Sequence, residues 1–171
     1  MYNKAIFFDR DGVINKLVER NNGFFSPRIF SEFEFYEDIE ICINFLAEKG
    51  FLILIISNQP DISRNRMSIK ELDKIDKLIM QKLRINEIYY SFESEVSDSG
   101  TKKPSPKMVL DAAKKWEIDL SKSFFIGDSI ADQKCASNAN VPFILIQRDH
   151  NKHIKSENII TSLIHINVLI N

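Results

Sequence analysis

Ile6-Phe7-Phe8-Asp9-Arg10-Asp11-Gly12-Val13-Ile14-Asn15 is the most informative stretch of this chain: an apolar run delivers two carboxylates, two residues apart, into a glycine turn. A run that reads apolar and then abruptly Asp-x-Asp-Gly predicts the end of a buried parallel strand opening onto a site. Side chains two apart on a strand point the same way, so Asp9 and Asp11 can converge on one ligand. Two like charges held that close need a cation or a shared proton to relieve them. That is the chemistry of metal-assisted phosphoryl transfer, although residues 9–12 taken alone also fit an ordinary polar turn.

Residues 13–37 show no clear period and contain Asn21-Asn22-Gly23 and Ser26-Pro27, which predicts a loop or small flap beside the site. Ile39, Cys42, Ile43 and Leu46 then recur at helical spacing, with Asp38 as N-cap and Gly50 as the stop. Residues 51–56 read as a strand buried on both faces, ended by Ser57-Asn58-Gln59-Pro60. Ser68 and Glu71 form a capping-box pattern ahead of a helix running to about Ile85. Short strands follow at 88–92, 124–126 and 143–146, separated by helices beginning at Ser105-Pro106 and spanning 129–138. Ile159-Ile160 reads as an edge strand and residues 162–170 as a closing helix. Strands alternating with helices predict an α/β fold: a doubly wound, Rossmann-like parallel sheet with helices on both faces, and no segment long enough for a large cap domain. One domain spanning 1–171 is expected.

Composition narrows the function. A formal net charge of −1, from 23 basic and 24 acidic residues, gives no electrostatic footprint for a nucleic-acid partner, so a small molecule fits better. The longest strongly apolar run, residues 51–56, is far short of the roughly 20 residues that cross a bilayer. The first strand starts too early to leave room for a signal peptide, and Cys42 and Cys135 read as core thiols, so a cytoplasmic protein is expected.

In doubly wound sheets ligands bind beyond the carboxyl ends of the strands. Four polar clusters fall there: residues 9–12, residues 57–60, the loop before Ser105, and Gly127-Asp128-Ser129. Together they resemble the four motifs of the haloacid dehalogenase-like phosphohydrolases over residues 4–148. The resemblance implies that Asp9 is the nucleophile, forming an aspartyl phosphate, and that Asp11 is the general acid and base. It implies that Ser57 and the Asn58 amide hold the phosphoryl group, and that Lys103, or Lys102 in its place, neutralises charge between Asp9 and phosphate. Mg²⁺ would be held by Asp9, the Asp11 carbonyl and Asp128, since hard oxygens suit a small hard cation. Asp132 would brace Lys103 or a metal-bound water. Plain alternatives stay open: a strand-ending serine, a solvated lysine, and an N-capping role for Asp128.

Within that family, DRDGVIN, SNQ, Lys-Lys-Pro and GDSxxD are most similar to the small-capped branch that includes histidinol phosphatase and D-glycero-D-manno-heptose 1,7-bisphosphate phosphatase. Asn15, Asn58, Gln59, Pro60, Lys102 and Ser129 would then touch substrate, with Gly12 supporting the turn. Lys102 stands where heptose enzymes carry an arginine, and a lysine loses the bidentate geometry. Relatives often wrap the loop before the lysine around zinc with Cys and His. Residues 91–101 contain neither, so no structural zinc is expected. Heptose enzymes also carry glycines near Asp61 and Asn65. The three histidines, His150, His153 and His165, read as surface residues, and Phe24, Phe25, Phe30, Phe33 and Phe35 line or pack the flap. The expected activity is Mg²⁺-dependent phosphomonoester hydrolysis by a monomer acting on a small sugar phosphate such as the heptose bisphosphate. Histidinol phosphate, a polynucleotide 3′-phosphate and a non-catalytic phosphate-binding module are the alternatives.

Overall fold

The computed structural model describes residues 2–21, 23–97 and 100–170. The chain begins with β1 (Lys4–Phe8), followed by a hairpin of two short antiparallel strands, β2 (Val18–Arg20) and β3 (Gly23–Phe25), then α1 (Ile39–Glu48) and β4 (Phe51–Asn58). A single turn, α2 (Pro60–Ser63), leads to α3 (Ile69–Lys82), β5 (Glu87–Ser91), α4 (Lys107–Lys115), β6 (Phe124–Gly127) and α5 (Ile130–Asn138). β7 (Phe143–Ile146), the short β8 (Ile159–Ile160) and α6 (Ile166–Leu169) complete it. Six strands form one sheet in the order β5-β4-β1-β6-β7-β8, and every pairing is parallel.

The central strands of the sheet are apolar on both sides because both faces are covered. Ile6, Phe8, Ile53, Ile55 and Ile126 pack with α1, α3 and the C-terminal residues Leu163, Ile166 and Ile170. Their strand neighbours Ala5, Phe7, Leu54, Ile56 and Phe125 pack with Met108, Val109 and Ala112 of α4 and with Cys135 and Ala136 of α5. The period-2 pleat thus feeds two separate cores, which explains why 51–56 reads as an unbroken apolar run. Both cysteines are buried and free, and burial pushes each thiol up to about 12. Among the described residues no helix is long and apolar enough to cross a membrane.

The chain runs outward from β1 to β4 and β5, then returns across the sheet to β6, β7 and β8. The connections leaving β1 and β6 therefore diverge, and the crevice between those two strand ends is the switch point where doubly wound sheets bind ligands.

Several local expectations change in the folded chain. The segment 13–37 is not featureless: its centre is the β2–β3 hairpin, although Asn22 of the expected loop lies outside the described residues. Asp38 precedes α1, but its side chain does not cap it. It accepts instead from Ser162 Oγ at 2.6 Å and the Leu163 amide at 2.7 Å, fastening the C-terminal segment. Only half of the Ser68 capping box forms. Ser68 Oγ accepts from the Glu71 amide, while the Glu71 carboxylate accepts from the Phe30 amide and ties the flap to α3. Helix α3 stops at Lys82, short of Ile85, because Asn86 is pinned to Ile53 of β4 through both its amide and its side chain. β4 runs on through Ser57 and Asn58, which pair with Tyr90 and Ser91. The closing helix is a 3₁₀ turn over Leu163–His165 followed by the one-turn α6. Asn65 takes the left-handed conformation, φ +54°, that a glycine would fill, while Asp61 sits in α2 and pairs with Arg28 at 2.7 Å.

Candidate active site

Asp9 is the first residue beyond β1, and its amide donates to the Ile126 carbonyl of β6 at 2.9 Å, which fixes it at the switch point. Gly12 follows at φ +93°, a conformation costly for any residue with a Cβ. A Cβ there would lie 1.9 Å from Asp128 Oδ2, so the turn after β1 and the carboxylate after β6 can approach only because residue 12 is glycine.

Lys103 arrives from the loop before α4 and is buried. Its Nζ lies 2.6 Å from Asp9 Oδ1, 2.6 Å from Asp132 Oδ1 and 2.8 Å from the Ile56 carbonyl. The Asn58 side chain holds that loop in place, accepting from the Lys103 amide at 2.9 Å and donating to the Lys103 carbonyl at 3.2 Å. Lys102 points elsewhere, its Nζ bonded to the Ser94 carbonyl, so of the two candidate lysines the fold brings Lys103 to Asp9. Burial disfavours the Lys103 charge, but Asp132 and Asp9 outweigh it and push the ammonium above its ordinary range.

Asp128 follows β6. It is not the cap of α5: Ser129 occupies that position in a full capping box with Asp132. Asp132 accepts from the Ser129 amide at 3.0 Å and from Ser129 Oγ at 2.5 Å, while its other oxygen meets Lys103. One carboxylate oxygen each from Asp9, Asp128 and Asp132 lie within 4.8 Å of one another. Burial pushes the Asp9 carboxyl well above the usual range; Asp132, Asp128 and Asp11 add to the rise, and Lys103 opposes it. Burial raises Asp128 as well, with a hydrogen bond from His150 pulling the other way.

Asp11 is enclosed by donors. Arg10, fully buried, reaches round to it with Nε 3.1 Å from Oδ1 and Nη2 3.0 Å from both oxygens. Asn15 Nδ2 donates to Oδ1 at 3.0 Å, and Gln59 Nε2 donates to Oδ2 at 2.6 Å and to Ser57 Oγ at 2.9 Å. Burial works against the Arg10 charge, but Asp11 and Tyr90 more than offset it and raise its pKa.

Asp9, Asp11, Asn58, Lys103, Asp128 and Ser129 all line one cavity of about 520 Å³, within the size range of small-molecule sites. Four of the expected substrate contacts are not on its wall. Asn15 and Gln59 are buried behind Asp11 because their amides are committed to its carboxylate, and Pro60 sits in the first turn of α2, away from the cavity. Lys102 is likewise off the wall, held by Ser94. Of the three histidines read as surface residues, His153 and His165 are exposed and His150 is partly buried, and both His150 and His153 stand on the cavity wall. His150 Nε2 is 2.6 Å from Asp128 Oδ2, and Asn151 donates to the Asp128 carbonyl at 2.7 Å. No local signal in the sequence marks these two, which reach Asp128 only through the turn after β7. Arg10 did carry a signal, because a charge set into a buried strand end requires a buried partner.

A family profile for haloacid dehalogenase-like hydrolases matches residues 5–146, which include Asp9, Lys103 and Asp128. The chain belongs to the haloacid dehalogenase-like hydrolases. Among relatives of this hydrolase, D-glycero-beta-D-manno-heptose-1,7-bisphosphate 7-phosphatase of Helicobacter pylori strain J99 is 32% identical over 145 residues, covering 81% of this chain and 80% of its own. D-glycero-alpha-D-manno-heptose-1,7-bisphosphate 7-phosphatase of Campylobacter jejuni is 30% identical over 161 residues, covering 89% and 87%. In fold, the hydrolase superposes on the D,D-heptose 1,7-bisphosphate phosphatase of B. bronchiseptica, solved with magnesium and phosphate, with a TM-score of 0.81 at 20% identity, covering 97% and 98% of the two chains.

The donor set fits a divalent cation of the kind these hydrolases use. Asp9 and Asp128 offer buried hard oxygens, whereas Lys103 is shared between Asp9 and Asp132, and Arg10 is committed to Asp11. Four carboxylates against two fixed cations leave a local excess of negative charge that a cation would offset. Asp132, held by Lys103 and Ser129, fits a bracing part better than a ligand's.

Proposed function

We propose that this hydrolase is a Mg²⁺-dependent phosphomonoesterase acting on a small phosphorylated sugar, with D-glycero-D-manno-heptose 1,7-bisphosphate as the preferred substrate. The observation that carries the reading is Asp9, buried at the end of β1 with one oxygen fixed 2.6 Å from Lys103 and standing on the wall of a substrate-sized cavity. The substrate assignment is supported by the heptose bisphosphate phosphatases to which the chain is similar.

Asp9 attacks phosphorus through the oxygen that Lys103 does not hold, forming a mixed anhydride and releasing the sugar alkoxide. Asp11 takes the acid and base role that the resemblance implies, giving a proton to that alkoxide and then taking one from the water that cleaves the anhydride. The acid step requires it to enter protonated, with one oxygen released from the donors Arg10, Asn15 and Gln59 that hold it here. Lys103 keeps charge balanced as negative charge builds on the phosphoryl oxygens. Ser57, buried just behind the cavity wall and hydrogen-bonded by Gln59, and the amide of Asn58 lie at the end of β4, and the resemblance gives them the part of donating to those oxygens. Asp9, Asp128 and the Asp11 carbonyl would hold Mg²⁺, which when bound would supply Lewis-acid neutralisation of the phosphoryl group. We place the enzyme in the cytoplasm as a monomer.

The test is phosphate release with and without Mg²⁺ across heptose 1,7-bisphosphate, other sugar phosphates and histidinol phosphate. One strongly preferred, Mg²⁺-dependent sugar phosphate is expected, with Asp9→Asn inactive. Preference for histidinol phosphate would move the substrate, and tight binding without turnover by folded protein would replace catalysis with a binding function.

A further inference from the structure

His150 lies 22 positions after Asp128, and the turn after β7 brings the two into contact. Its Nε2 is 2.6 Å from Asp128 Oδ2, a bond that requires the proton on Nε2 because a carboxylate only accepts. The imidazole also meets the half-exposed ring of Phe24 of β3, ring centroids 5.6 Å apart at a tilt of 46°. Around the same aspartate, Asn151 donates to the main-chain oxygen at 2.7 Å, and the main-chain amide donates to Asp132 Oδ2 at 3.3 Å. Asp128 Oδ2 is thus confined between the Gly12 backbone and His150, while Oδ1 accepts no hydrogen bond among the described residues.

We propose that His150 is a positioning residue for the cation site: by holding Asp128 Oδ2, it orients the carboxylate so that Oδ1 is presented to the metal, and the flap residue Phe24 holds the imidazole to that task. A carboxylate on a single rotatable stem otherwise samples several orientations, and an outer hydrogen bond that removes this freedom typically changes metal affinity 10–100-fold. The proposal rests on the reading that Asp128 is a metal ligand, and its test needs no substrate.

Two substitutions separate the hydrogen bond from packing. His150→Phe keeps a ring against Phe24 but has no donor, and His150→Gln keeps a donor without the ring. Apo wild-type protein and both variants are titrated with Mg²⁺ by calorimetry, with Mn²⁺ binding followed by electron paramagnetic resonance as a second readout. The expected result is about tenfold or greater weakening of Mg²⁺ binding in H150F, near-wild-type binding in H150Q, and recovery of H150F turnover at saturating Mg²⁺. Unchanged affinity in H150F overturns the proposal. So does tighter binding, which would mean that His150 competes with the cation for Asp128. If wild-type protein binds Mg²⁺ and H150F loses it while no phosphate ester is turned over, the clamp stands and the phosphatase reading falls. Normal turnover with identical Mg²⁺ affinities gives the reverse.

Discussion

Lys103 is buried between Asp132 and Asp9, so removing Asp132 leaves the ammonium with Asp9 and the Ile56 carbonyl as its remaining partners. Asp132→Ala also deletes the acceptor for the Asp128 and Ser129 amides. It is expected to lower stability by about 1–3 kcal/mol in urea unfolding, from the amides left without an acceptor, and to lower turnover because one of the groups that fixes Lys103 against Asp9 is gone. The sequence places Asp9, Asp11 and Asp128 at strand ends and Lys103 in the loop before a helix, with Lys102 beside it as the competing candidate. Only the Asn58 brace on the lysine loop separates them. The thiols give a check on burial. With both raised to about 12, thiolate is present at roughly one part in ten thousand at pH 8, and it grows only as pH climbs toward that value. Alkylation at pH 8 should therefore be very slow in folded protein and rapid for both Cys42 and Cys135 after denaturation, as counted by mass spectrometry.

At the level of elements, the site depends on two glycines, one in the turn after β1 and one at the end of β6. Gly12 admits Asp128, and a Cβ on Gly127 would lie 2.4 Å from the Asp132 Cβ, so β6 ends in glycine for a similar reason. Gly12→Ala is expected to keep the circular dichroism of the fold while reducing kcat on the order of 100-fold, because a displacement of about 1 Å in a catalytic group is that costly. A wild-type rate in that variant would mean that the turn relaxes without disturbing Asp128. Helix and strand assignments follow the apolar period closely, since a half-buried helix and a doubly buried strand carry distinct patterns. Element ends do not follow it. α3 ends early because of an Asn86 bond to β4, and Asp38 serves a segment more than 120 residues away instead of its own helix. The flap shows the same limit: Phe33 and Phe35 pack edge to face at 5.0 Å, while Phe24 and Phe25 stay exposed, and no local pattern distinguishes the two sets.

Across the whole molecule, the C-terminal residues complete one of the two cores. Leu163, Ile166 and Ile170 are buried against the α1 and α3 face, and Ser162 and Leu163 satisfy Asp38. Ending the chain at Thr161 is expected to shift the urea midpoint sharply downward, since each large apolar side chain so buried contributes about 1.5–3 kcal/mol. The β7 to β8 connection within this same region carries His150 and Asn151 to Asp128, so the part that closes the core also closes the site. The parallel sheet, the helices on both faces and the strand-end carboxylates were determined by the sequence alone, because hydrophobic period and the alternation of strand and helix are local and repeat along the chain. The choice of Lys103 over Lys102, the enclosure of Asp11 by Arg10, Asn15 and Gln59, and the meeting of His150 with Asp128 were decided only by tertiary structure. Each joins groups that the sheet brings side by side across a switch in strand order, and no spacing along the chain encodes that proximity.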